Sequence, residues 1–116
     1  MPYVHCLCGK PVEPAGEEAF KTAAAKAMTE VAGKPESYLF VGIQGGQTLF
    51  VRGARGEGAA INVSLVGTLT RAQKKELATR FCQICQDTLN VPRDAVYVVF
   101  AEVPGENWGW SGGTFG

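Results

Sequence analysis

Two stretches of this chain carry hydrophobic residues at helical spacing. Between Gly16 and Ala32, Phe20, Ala24, Ala27 and Val31 fall at i, i+4, i+7 and i+11, which is one stripe of a helix. Gly33 then supplies a left-handed C-cap, and Pro35 forbids continuation. Residues 71–89 repeat the scheme with Leu77, Phe81, Cys85 and Leu89. Thr70, with Gln73 three positions on, gives this second helix a capping box, and Asn90 and Pro92 close it.

The strand-like runs repeat as well. At an offset of 57 residues, Pro2–Cys8 matches Ala59–Leu65, Gly33–Ser37 matches Asn90–Asp94, and the apolar run Tyr38–Ile43 answers Ala95–Val103. The chain therefore reads as a strand–helix–strand unit present twice, over residues 1–58 and 59–116, within one domain. Two such units predict an α+β fold, with a four-stranded mixed sheet and both helices on one face. The other face is then bare. Apolar residues alternating in Ala60–Val66 and Val96–Phe100 predict that copies of the chain cover it. Gly45-Gly46 turns into a short run, Thr48–Val51, suited to an edge strand for a neighbour, and the tail Asn107–Trp110 reads the same way.

Composition narrows the partners. Eleven basic and eleven acidic residues give no net charge, so nucleic acid and anionic membrane surfaces are not expected to bind. The N-terminus lacks the basic segment and apolar stretch of a secretory signal, which makes the cytosol the expected compartment. The four cysteines are then expected to be reduced.

Candidate chemistry is sparse. A single histidine, His5, rules out most histidine-based triads and metal cages, and as a strand residue alternating with Tyr3 and Leu7 it reads as packed or partly exposed. Cys82 and Cys85 have redox spacing but sit inside a helix, away from the N-terminal position that lowers a thiol pKa. With Cys6 and Cys8 they read as buried structural thiols, and no metal or cofactor is expected. Lys34 breaks the repeat, since Val91 stands at its match. Alone it fits a complement to a helix dipole, as Pro2 alone fits the first residue of a strand.

Together these residues are more specific. Met-Pro at the start, Gly33-Lys34-Pro35 after the first helix, Asp94-Ala-Val-Tyr97 and the tail Asn107-Trp-Gly-Trp-Ser-Gly-Gly-Thr-Phe115 resemble the tautomerase superfamily, and within it the macrophage migration inhibitory factor and D-dopachrome tautomerase family. The resemblance spans the whole chain. It implies a homotrimer with active sites at subunit interfaces, and keto–enol tautomerisation of phenylpyruvate-like 2-oxo acids or dopachrome-like compounds. Pro2 would be the general base after removal of Met1, and Lys34 would hold the substrate carboxylate. The same resemblance assigns a backbone N–H at Val66 to the substrate oxygen. It makes Tyr38, Tyr97, Trp108 and Phe115 the pocket walls, Tyr97 coming from the neighbouring subunit.

The chain departs from the family pattern at two pocket positions. Val99 stands where the mammalian cytokine has an asparagine, and Trp108 where it has a valine. That cytokine's Cys-x-x-Cys falls on Ala59-Ala-Ile-Asn62, so a thiol oxidoreductase role has no residues here. Two alternatives accompany the resemblance. One is a cytokine-like signalling protein that binds a receptor and is exported without a signal peptide, its tautomerase activity weak or vestigial. The other is hydration of unsaturated or halogenated acids, with Arg52 or Arg55 as suppliers of a cation.

Overall fold

The computed structural model describes residues 1–116. Strand β1 (Pro2–Cys8) leads to helix α1 (Pro14–Ala32) and strand β2 (Phe40–Gln44). After a small hairpin, β3 (Phe50–Val51) and β4 (Ala54–Arg55), the order recurs as β5 (Ala59–Val66), α2 (Arg71–Leu89) and β6 (Val96–Val103). A second hairpin, β7 (Gly109–Trp110) and β8 (Gly113–Thr114), ends the chain.

The sheet order is β2-β1-β5-β6. Each unit pairs its own strands in parallel, β1 with β2 and β5 with β6, while β1 and β5 join the units antiparallel. Parallel partners need a crossover, and α1 and α2 supply it. Val4, Cys6 and Cys8 of β1 and Ile61, Val63 and Leu65 of β5 point to the helices and form one core with Phe20, Met28, Leu77 and Phe81.

Helix α2 buries Leu77, Phe81, Cys85 and Leu89, the stripe expected from its spacing. Its capping box is formed: Thr70 Oγ1 accepts from the Gln73 N–H at 3.1 Å, and Gln73 Oε1 accepts from the Thr70 N–H at 2.8 Å. Gln73 also donates to the Val31 carbonyl at 3.1 Å, which sets the start of α2 against the end of α1. Helix α1 begins earlier than expected, at Pro14, because proline suits a first turn that needs no N–H. Val31 is only half-buried; Ala25 and Met28 fill the core where the expected stripe placed it.

The bare face differs from expectation. The apolar alternants Ile61, Val63 and Leu65 turn toward the helices, so the outer centre of the sheet carries His5, Asn62 and Ser64. Exposed large apolar side chains lie on its edge strands, at Phe40, Tyr97 and Val99, and on central β1 at Tyr3. The expected edge strand also shrinks. Only Phe50–Val51 is extended, and it pairs with Ala54–Arg55, not with the main sheet. His5 lies half-buried, hydrogen-bonded to Gln44 at 2.6 Å.

Candidate active site

Pro2 opens β1 with its ring fully buried and pairs with Leu65. A strand's first position tolerates proline because its missing N–H costs no ladder bond there. Carried one residue further, the same antiparallel register sets Val66 across from Met1. Gly67, at φ 92°, then turns the chain away, a backbone conformation that glycine adopts without strain.

Lys34 reaches this region from the end of α1. Gly33 takes the left-handed cap (φ 66°), the Lys34 N–H donates to the Met28 carbonyl at 3.0 Å, and the Thr29 hydroxyl donates to the Lys34 carbonyl at 3.1 Å. The backbone is thus held from both sides. The Lys34 ammonium has no carboxylate partner, since nearby Glu36 pairs with Lys21 at 3.2 Å. Its charge falls instead on the N-terminal amine. Partial burial, and after it the Lys34 cation, hold that amine below its ordinary value, because both disfavour a second positive charge.

A cavity of about 400 Å³ opens beside the amine, lined by Met1, Tyr38, Trp110 and Phe115. Tyr38 ends a 3-10 turn, Glu36–Tyr38, and so stands outside the strand the sequence suggested. Trp110 and Phe115 come from the terminal hairpin and stack at 6.2 Å between ring centroids. Phe115 is fixed through its N–H, which donates to the carbonyls of Gly105 (3.0 Å) and Trp108 (3.3 Å). The tail passes so close that a Cβ on Gly105 would stand 2.6 Å from the Phe115 carbonyl oxygen.

The assigned residues separate into groups. Tyr38 and Phe115 line the cavity with Met1, whereas Pro2, Val66 and Lys34 do not: Pro2 is buried next to Met1 in the chain, Val66 falls opposite Met1 by register, and Lys34 acts on the amine through its charge. Trp108 does not line the cavity: it precedes the hairpin, half-buried, and Trp110 takes the wall position that sequence reasoning gave to it. The signal for Trp110 was the turn pair Ser111-Gly112, both at positive φ, which folds Trp110 back toward Phe115. Tyr97 lies elsewhere. It stands on β6, 79% exposed, beside a second cavity. Within one chain the cavity at the amine therefore has Tyr38 but lacks Tyr97.

Three of the four thiols are held protonated. The hydrogen bond between Cys85 and Cys6 pushes the Cys85 thiol up, with burial adding to it, and the Cys6 thiol down. Burial pushes up the Cys8 thiol and that of Cys82, which is half-buried and not buried as expected. A thiol that stays protonated is a poor nucleophile.

The family model for macrophage migration inhibitory factor matches residues 1–116. A macrophage migration inhibitory factor homolog from Brugia malayi is 26% identical over 98 residues, covering 84% of this chain and 85% of the relative. The solved macrophage migration inhibitory factor of Toxoplasma gondii superposes with a TM-score of 0.91 at 26% identity, over 97% of this chain and 99% of that one. The fused 4-OT wild type, solved as a symmetric trimer, superposes with a TM-score of 0.83 at 23% identity, over 98% of this chain and 94% of that one.

Proposed function

The chain belongs to the macrophage migration inhibitory factor family of the tautomerase superfamily, and from that premise we propose that it interconverts the keto and enol forms of phenylpyruvate-like 2-oxo acids, with Pro2 as the base. One observation carries the reading. The chain's first amine lies at an aromatic-walled cavity, partly desolvated and beside an unpaired lysine cation.

Removal of Met1 moves the free amine onto Pro2 and clears one wall of the cavity. A secondary amine is a useful base only while neutral, and the surroundings that lower the Met1 amine favour a neutral one. Its lone pair takes a proton from the carbon beside the substrate carbonyl, the C–H electrons form the C=C bond, and the carbonyl oxygen gains negative charge. The same nitrogen returns the proton to that oxygen, giving the enol. Lys34 binds the carboxylate and so sets the reacting carbon over Pro2. The Val66 backbone N–H, close to the start of the chain by the register of β1 and β5, steadies the charged oxygen.

The walls Tyr38, Trp110 and Phe115 suit an aromatic side chain. The fourth wall, Tyr97, comes from the neighbouring copy in a homotrimer. Support for this assembly is that Tyr97 is exposed and remote from its own chain's amine, and that apolar side chains line the edges of the bare face.

The test is an enol-absorbance assay on two preparations separated by intact mass, one with Met1 and one without. Turnover confined to the trimmed protein is expected. Equal turnover in both would remove Pro2 as the base. Background turnover in both would instead favour a cytokine-like binding protein.

A further inference from the structure

The loop between β5 and α2, residues 67–70, is held at three points, two of them from the end of β6. The Gly67 N–H donates to the Val103 carbonyl at 3.0 Å, and the Leu69 N–H donates to the Glu102 carboxylate at 2.7 Å. Thr70 is fixed by the capping box of α2. The other Glu102 oxygen pairs with Lys74, one turn into α2. The Lys74 ammonium, and after it the Leu69 N–H, hold the Glu102 carboxyl below its ordinary value, so it stays ionised in the neutral range.

The Gly67 bond also gives the direction of the N–H before it. Successive N–H groups of a strand face opposite edges, so with Gly67 turned to β6 the Val66 N–H faces β1 and the start of the chain. The loop that Glu102 holds thus begins at the donor assigned to the substrate oxygen. The first half lacks this clamp. At the 57-residue offset Leu69 matches Val12 and Glu102 matches Gly45. There Val12 packs directly on the glycine, and a Cβ on Gly45 would stand 2.9 Å from the Val12 nitrogen. The scaffold closes this turn without a carboxylate in one half, and has one only where the turn adjoins the N-terminal amine.

We propose that Glu102 is a positioning residue: by holding the Leu69 N–H it keeps the Val66 N–H aimed at the oxygen that becomes negative during proton transfer. The role rests on the tautomerase reading above. A donor of this kind acts on the transition state more than on the bound substrate, so its misplacement falls on kcat and spares KM.

The test uses full-length, Met1-free protein. In the phenylpyruvate assay Glu102→Ala should lower kcat about tenfold at unchanged KM, less than the roughly 10²–10³ for deleting such a donor outright. Glu102→Gln, whose side-chain oxygen still accepts from Leu69, should recover most of the loss. Lys74→Ala breaks the ion pair, spares that bond and should act like the wild type. The acid limb of kcat/KM should stay in place in all three, since the clamp bears on the oxygen and not on the amine. Nitrogen-15 spectra give a readout without turnover: Glu102→Ala should shift the Val66 and Gly67 amides and speed exchange of the Leu69 N–H, and Glu102→Gln should not. An unmoved Val66 amide in Glu102→Ala would overturn the proposal, as would a loss of kcat that Glu102→Gln and Lys74→Ala share in full. Wild-type turnover with kcat unchanged in Glu102→Ala would overturn this role alone. Trimmed wild-type protein without turnover would remove the tautomerase reading and this role with it.

Discussion

The two halves of the chain share a backbone plan and differ in what they place on it. Both helices end in a left-handed cap, Gly33 at φ 66° and Asn90 at φ 55°, and both continue through a proline into a 3-10 turn and a strand. In the first half this plan carries Pro2, Lys34 and Tyr38; at the same places the second half carries Ala59, Val91 and Ala95. The duplication builds the scaffold twice and the proton-transfer chemistry once. Three side chains at matching places, together with the different hairpins beside them, separate the two cavities.

The largest effect should come from making the first half resemble the second at its base. In trimmed protein, Pro2→Gly keeps a free amine but loses the ring, and should lower kcat/KM by about 10²–10⁴ in the phenylpyruvate assay, the range for losing a positioned general base. Thermal unfolding should change far less than activity. The reverse exchange acts on stability. Val91→Lys drives an ammonium into a site that is now fully buried, and should cost about 3 kcal/mol or more by denaturant unfolding.

Lys34→Val copies the second half at its cation. It should raise KM about tenfold through loss of the carboxylate contact. It also removes the cation that, after burial, lowers the Met1 amine and would act likewise on the Pro2 amine next to it. Activity requires the neutral amine and falls as pH drops through its pKa, so the acid limb of the kcat/KM profile should move to higher pH in this variant. An unmoved limb would show that Lys34 only anchors substrate.

The helix starts give a smaller contrast. Helix α2 has its capping box, whereas Glu13 makes no side-chain cap on α1. Thr70→Ala should therefore cost about 1 kcal/mol and Glu13→Ala close to nothing, read from paired urea melts. The thiols add a pH dependence. Cys8, Cys82 and Cys85 keep their protons longer folded than unfolded. Cys6 shifts the other way, but above the ordinary thiol pKa, about 8.5, the unfolded chain releases three protons that the folded chain retains, so stability should decline as pH rises through that range.

Much of this was legible in the sequence because it is local. Helical spacing located Phe20, Ala24, Leu77 and Phe81, and cap chemistry located Gly33, Thr70 and Asn90. What failed depends on geometry between segments. Trp108 and Trp110 look alike in sequence, and only the turn at Ser111-Gly112 decides which one faces Phe115. The alternation in β5 shows that one side is apolar, yet its facing depends on the register with β1, which sends Ile61, Val63 and Leu65 inward. Arg52 gave no local sign of its position either, since its contact with the Asp94 carbonyl spans 42 residues.

The central claim concerns the charge on one nitrogen, and titrating it is the most direct test. Nitrogen-15 NMR of labelled Pro2 in Met1-free protein should show a neutral amine at pH 7, with a pKa below the usual value of about 8 and matching the acid limb of activity. A Pro2 amine fully protonated at pH 7 in protein that turns over phenylpyruvate undiminished would contradict the account.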